Sequence, residues 1–317
     1  MLFSGRVAPL AGDAGPQLSI LGKGDVMAML SRILVPVAFS ARCQDATRYA
    51  AALACRFHCE LALLHVFVQP WAAFSSAEGY ATPPPFDLES TLAQVRAELD
   101  RFLSDELGGL TVRREVGEGD PARAIAEFAN TEKCDLIVMP THGYGPFRRF
   151  LLGSVTAKVL HDAHCPVLTS PHLEHPPAME SPSFGKILCA VDLRPESRQV
   201  IAWAARFAAE FGSELALVHA VPDATIRMDG ITFEPAWNAE LLARARQQVT
   251  ALRDEMNVKA EVVMEAGDVP AAVRAAAEST GADLLVVGRG HAHGVLGRLR
   301  THTYGIVRES PCPVLAV

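Results

Sequence analysis

The stretch RILVPVAFS, residues 32–40, returns as KILCAVDLR at 186–194, 154 residues further on. At the same offset, ELALLHV (60–66) returns as ELALVHA (214–220). Three further pairs follow in order: GEGDPARAIAEFA (117–129) with EAGDVPAAVRAAA (265–277), CDLIVMPTHG (134–143) with ADLLVVGRGH (282–291), and HCPVLTS (164–170) with PCPVLAV (311–317). Five matches in one order describe one domain written twice, which settles the architecture before any single element is assigned.

The expected boundaries are 31–170 and 184–317. Residues 171–183, rich in Pro and Ser, read as a linker. Residues 1–30 lack periodicity and a continuous apolar core. They read as a disordered or misannotated extension, with Met27 or Met29 as the expected start.

Within each copy, strands and helices alternate. Ile33–Val37 is a short apolar run typical of a buried strand. Ala46, Tyr49, Ala50, Leu53 and Phe57 then recur at helical spacing, as do Leu92, Val95, Leu99 and Phe102 after a second run, LALLHVF. TVRREV alternates like a strand. Asp120-Pro121 opens another helix, with Asp120 as N-cap and Pro121 at the first helical position. DLIVMP and PVLT supply the last two strands. Continuous apolar strands separated by helices predict an α/β fold: a parallel sheet with helices on both faces. The terminal strands PVLTS and PVLAV would expose apolar edges, so the two copies are expected to pair through 166–170 and 313–317.

The bulk numbers narrow the function. Net charge is −7, giving a nucleic-acid partner no electrostatic support, and no apolar run is long enough to span a membrane. Seven scattered cysteines fit reduced thiols and a cytoplasmic location. No nucleophile has an evident base partner, so no catalytic residue is assigned. His65 and His219 read as satisfied histidines at strand ends.

The loop after DLIVMP carries the site. Nine residues separate Gly143 from Gly153-Ser154, ahead of an apolar-periodic helix. Glycines let backbone amides approach an anion, and a helix N-terminus adds partial positive charge. No Walker Lys-Ser/Thr accompanies them.

With repeat, element order and loop together, everything after residue 30 resembles a tandem universal stress protein. The resemblance implies two five-stranded parallel sheets of the adenine nucleotide alpha hydrolase-like kind. It also implies a stress-response module that binds ATP in many members, with magnesium as a companion of the nucleotide, and a homodimer beyond the intrachain pair. The alternative is a scaffold that binds partners without nucleotide. Carried onto the first copy, Pro36 and Val66 fall at adenine-contacting positions and Met139 at the nucleoside. Pro140, His142, Gly143, Gly153, Ser154 and Val155 fall along the phosphate loop. Ala38 departs from the Asp that the resemblance implies, and Pro140 from a glycine. The second copy keeps Asp192 and Gly288 but has His291 and no Gly-Ser pair, which implies a degenerate, structural copy.

Overall fold

The computed structural model describes residues 29–69, 87–141, 152–169, 183–221, 235–289 and 301–317. The expected 1–30 extension, apart from its last two residues, and the expected 171–183 linker, apart from Ser183, therefore lie outside the described residues. The first copy runs β1 (Arg32–Pro36), α1 (Ala41–Phe57), β2 (Glu60–Phe67), α2 (Leu88–Arg101), β3 (Val112–Glu118), α3 (Pro121–Thr131), β4 (Leu136–Val138), α4 (Ser154–Asp162) and β5 (Val167–Thr169). The second repeats that order: β6 (Lys186–Ala190), α5 (Ser197–Phe211), β7 (Glu214–Val221), α6 (Pro235–Glu255), β8 (Glu261–Ala266), α7 (Val269–Thr280), β9 (Leu284–Val287), α8 (Thr301–Glu309) and β10 (Val314–Ala316).

Inside each copy every strand pairing is parallel, and the ten strands form one sheet in the order β3-β2-β1-β4-β5-β10-β9-β6-β7-β8. The expected edge pairing is present. β5 meets β10 antiparallel, with Leu168 opposite Leu315. Polarity therefore reverses only at that seam, as a twofold relation between the copies requires. Buried side chains gather in one cluster on each face of the sheet, and both clusters draw residues from both copies.

The helices start and stop where local chemistry dictates. Asp120 caps α3 by accepting from the Arg123 amide at 3.0 Å, and Pro121 fills the first turn. That bond holds the Asp120 carboxyl below its usual range, helped by Lys158. Phe102, expected inside α2, is instead its C-cap, and its ring is buried. α1 and α5 end in left-handed residues at equivalent positions, His58 and Gly212. All seven cysteines are free thiols.

Contacts on both faces of the sheet, besides the strand seam, join the copies. On one face, Phe184 packs on Tyr49 of α1 and on Phe207 and Phe211 of α5, with Phe57 against the same two rings. On the other, the Tyr304 hydroxyl of α8 donates to the Ala157 carbonyl of α4 at 2.9 Å, and Arg289 Nη1 donates to the Ala163 carbonyl at 2.6 Å. Arg289 places its cation at the C-terminal end of α4, where the helix dipole is negative. Burial pulls its guanidinium below the usual pKa.

Candidate functional site

The chain leaves β1 through a tight turn that both copies build in the same way. Phe39 and its equivalent Leu193 both adopt left-handed backbone, φ 52° and 60°. A non-glycine residue there is uncommon and holds only when its surroundings fix it. Here the surroundings match in both copies. The Val37 amide donates to the Leu64 carbonyl at 2.8 Å, and the Val191 amide donates to Val218 at 2.9 Å. His65 Nδ1 lies 2.8 Å from the Val37 carbonyl, and His219 Nδ1 lies 2.8 Å from that of Val191. A carbonyl only accepts, so Nδ1 carries the proton and Nε2 is the acceptor in both rings. These histidines are turn anchors, as their place at strand ends suggests.

One position distinguishes the two turns. In the second copy the Asp192 amide approaches Ser197 Oγ at 3.3 Å, while Ser197 Oγ donates back to Asp192 Oδ1 at 2.8 Å. In the first copy Cys43 replaces that serine, and the Ala38 amide points at Cys43 Sγ at 3.4 Å. The backbone is shared; the carboxylate belongs to the second copy alone.

The phosphate-loop residues are held from β4. Met139 is buried, and its amide donates to Leu168 at 3.0 Å. Pro140 is buried too, and its carbonyl accepts from Thr156 Oγ1 at 3.0 Å. Thr303 repeats this latch on the Gly288 carbonyl at 3.3 Å. The Gly153 amide donates to the Thr141 carbonyl at 2.8 Å. Gly153 is therefore the N-cap that closes the loop, with its amide engaged by Thr141.

The donors this helix offers come after Gly153. α4 has no side-chain N-cap, and its first intrahelical bond is Ala157 N–H to the Gly153 carbonyl. The amides of Ser154, Val155 and Thr156 thus lie ahead of the helical ladder, where an anion is favoured. Ser154 is exposed and Val155 half-buried. Pro36 and Val66, half-buried at the ends of β1 and β2, complete the described part of the first site. His142 and Gly143 lie outside the described residues.

A cavity of about 640 Å³ opens beyond the carboxyl ends of β6, β7 and β9. Its walls are apolar, with Val191, Val218, Val273, Val287 and Ile306 among them, and Asp192, Glu196, Ser197 and His219 contribute polar groups. In an open parallel sheet this is where ligands bind.

Sequence reasoning missed the two threonine latches and the Arg289 and Tyr304 contacts. Aligning SVT (154–156) with THT (301–303) would have marked the threonines. Arg289 and Tyr304 carry no sequence signal, because their partners are carbonyls.

The universal stress protein family model matches twice, over residues 29–171 and 183–317. A universal stress protein of Methanocaldococcus jannaschii is 34% identical over 155 residues, covering 47% of this chain and 86% of that protein. One from Mycobacterium bovis is 27% identical over 210 residues, covering 65% and 69% respectively. Among solved structures, a universal stress protein from Archaeoglobus fulgidus superposes with a TM-score of 0.62 at 21% identity, covering 90% of this chain and 95% of that one. That likeness concerns the fold.

Proposed function

We propose, for a chain that belongs to the universal stress protein family, a role as an adenine-nucleotide-binding signalling module with its ATP site in the first copy. The observation that carries the reading is the start of α4. Three amides precede the helical ladder, no side chain caps them, and an exposed serine hydroxyl stands beside them. Loop closure by Gly153 and Thr156 fixes that helix end against β4, so the amides are aimed before a ligand arrives. Pro36, Val66 and Met139 would meet the base and sugar. Magnesium would come with the nucleotide phosphates and not from a protein cage. Among the described residues no cluster of His, Cys, Asp and Glu has the makings of a metal site.

The role proposed is binding: both turn histidines have Nδ1 tied to a backbone carbonyl, and Ser197 Oγ gives its proton to Asp192 within the turn. Among the described residues no helix is long and apolar enough to cross a membrane. The homodimer expected from the sequence would have to use β3, β8 or the helical faces, because β5 and β10 already cover each other.

The test restores what the first copy lacks. Ala38 occupies the same turn as Asp192, so an aspartate there meets a backbone already shaped for it. Ala38→Asp with Pro140→Gly should tighten ATP binding roughly tenfold or more, at about 1 kcal/mol for each recovered hydrogen bond. Titration calorimetry against the wild type reads this directly. Unchanged or weaker ATP binding in the double variant would show that these positions do not face the ligand.

A further inference from the structure

We propose that the second copy positions the phosphate helix of the first: Tyr304 and Arg289 reach across the seam and hold α4 at both ends. The effect on a nucleotide rests on the reading above; the hold itself does not.

α4 is a helix that needs holding. It has nine residues, short of the roughly 12–15 that an isolated helix requires. No side chain caps its start, and its C-cap is Ala163. Its own copy fixes it through the Thr156 latch on the Pro140 carbonyl. The second copy adds a bond at each end. The Tyr304 hydroxyl donates to the carbonyl of Ala157, the residue whose amide makes the first intrahelical bond. Arg289 Nη1 donates to the carbonyl of the C-cap itself. Two anchors set both the place and the tilt of the helix, and the amides of Ser154, Val155 and Thr156 share the turn that Tyr304 holds.

The two copies are not equivalent in this. The latching threonines, Thr156 and Thr303, make Ala157 the counterpart of Tyr304. The phenol therefore crosses to its own repeat position, where the first copy has a methyl group and nothing to donate back. At the other end Ala163 corresponds to Ser310, whose hydroxyl ties the turn after α8 to the Cys312 carbonyl at 2.8 Å. Alanine lacks that hydroxyl, and the Ala163 carbonyl receives the Arg289 guanidinium instead.

Arg289 is a costly residue for this place. Its Nε is buried without a hydrogen-bond partner, and burial pulls the guanidinium pKa down. A cation desolvated for one carbonyl contributes little to fold stability. What it fixes is the end of a helix, where the dipole is negative.

Hydrogen exchange of the whole chain, read by mass spectrometry, tests the hold with no ligand present. The variants are Tyr304→Phe, which loses only the hydroxyl, Arg289→Met, and the two combined. Exchange in α4 should rise about tenfold in the double variant, the size of one to two carbonyl hydrogen bonds. α5, which packs on the other face of the sheet, should exchange as in wild type. Arg289→Lys keeps a donor for Ala163 and should recover part of the loss. ATP should bind about threefold or more weakly to the double variant, and AMP, with fewer phosphates to meet α4, should be less affected. Unchanged exchange in α4, or an equal rise in α5, would overturn the hold. Faster exchange in α4 with ATP unaffected, or with ATP and AMP weakened alike, would overturn the positioning role. If wild type takes neither nucleotide, the reading above fails, and the exchange pattern alone decides the hold.

Discussion

Leu315→Asp should cost about 4 kcal/mol or more and remove most of the folded population at ordinary temperature. Leu315 sits at the centre of β10 and is 1% exposed. It pairs with Leu168 across the antiparallel seam and with Val286 on the other side. A carboxylate there would enter the apolar cluster that draws on both copies. The group would have to be buried charged, take up a proton, or open the seam, and each route is expensive. Leu315→Met, which keeps volume and polarity, should cost under about 1.5 kcal/mol. Urea denaturation of the three proteins gives the comparison. Because the core clusters draw on both copies, wild type should unfold in a single transition. A Leu315→Asp penalty below about 1 kcal/mol would mean that the seam does not hold the copies together.

Phe184→Ala is expected to cost about 3–5 kcal/mol. The ring is 4% exposed and stands between the copies, with its centroid 6.3 Å from Tyr49, 5.4 Å from Phe207 and 4.8 Å from Phe211. The last contact is edge-to-face, which suits the ring quadrupoles. Truncation removes three aromatic pairs and leaves a void that a sheet on one side and two helices on the other cannot readily fill. Phe184→Leu should recover about half of the loss, because it restores apolar volume but not ring geometry. Thermal melts of both variants test this. Equal stability of Phe184→Ala and wild type would show that the aromatic cluster contributes nothing to the union of the copies.

The fold was legible because it was written twice. The 154-residue offset between Ile33–Val37 and Ile187–Val191 fixed the strand alignment, and apolar continuity fixed their parallel burial. The seam followed from the bare apolar edges of the last strands. The site was less legible, because backbone carries it. Gly153 reads from sequence as a phosphate donor, yet its amide bonds to Thr141, and the amides ahead of the helical ladder lie one to three residues on. The second copy reads as degenerate because its glycines and Gly-Ser pair are missing. Its cavity arises from valine and isoleucine walls, residues that sequence cannot distinguish from ordinary core. Asp192 was visible, but its anchoring by Ser197 depends on a turn held by left-handed Leu193, which no pattern marks.

ATP bound at the start of α4 should depend on the residue at position 153. An N-cap side chain projects over the first amides of its helix, and valine tolerates the extended φ of −62° and ψ of 145° found at Gly153. Gly153→Val should therefore cover the Ser154 and Val155 amides without breaking the loop. Native mass spectrometry of wild type and Gly153→Val with added ATP counts the bound nucleotide. One ATP per chain in wild type and none in the variant is the predicted result; two per chain, or equal occupancy in the variant, would contradict it.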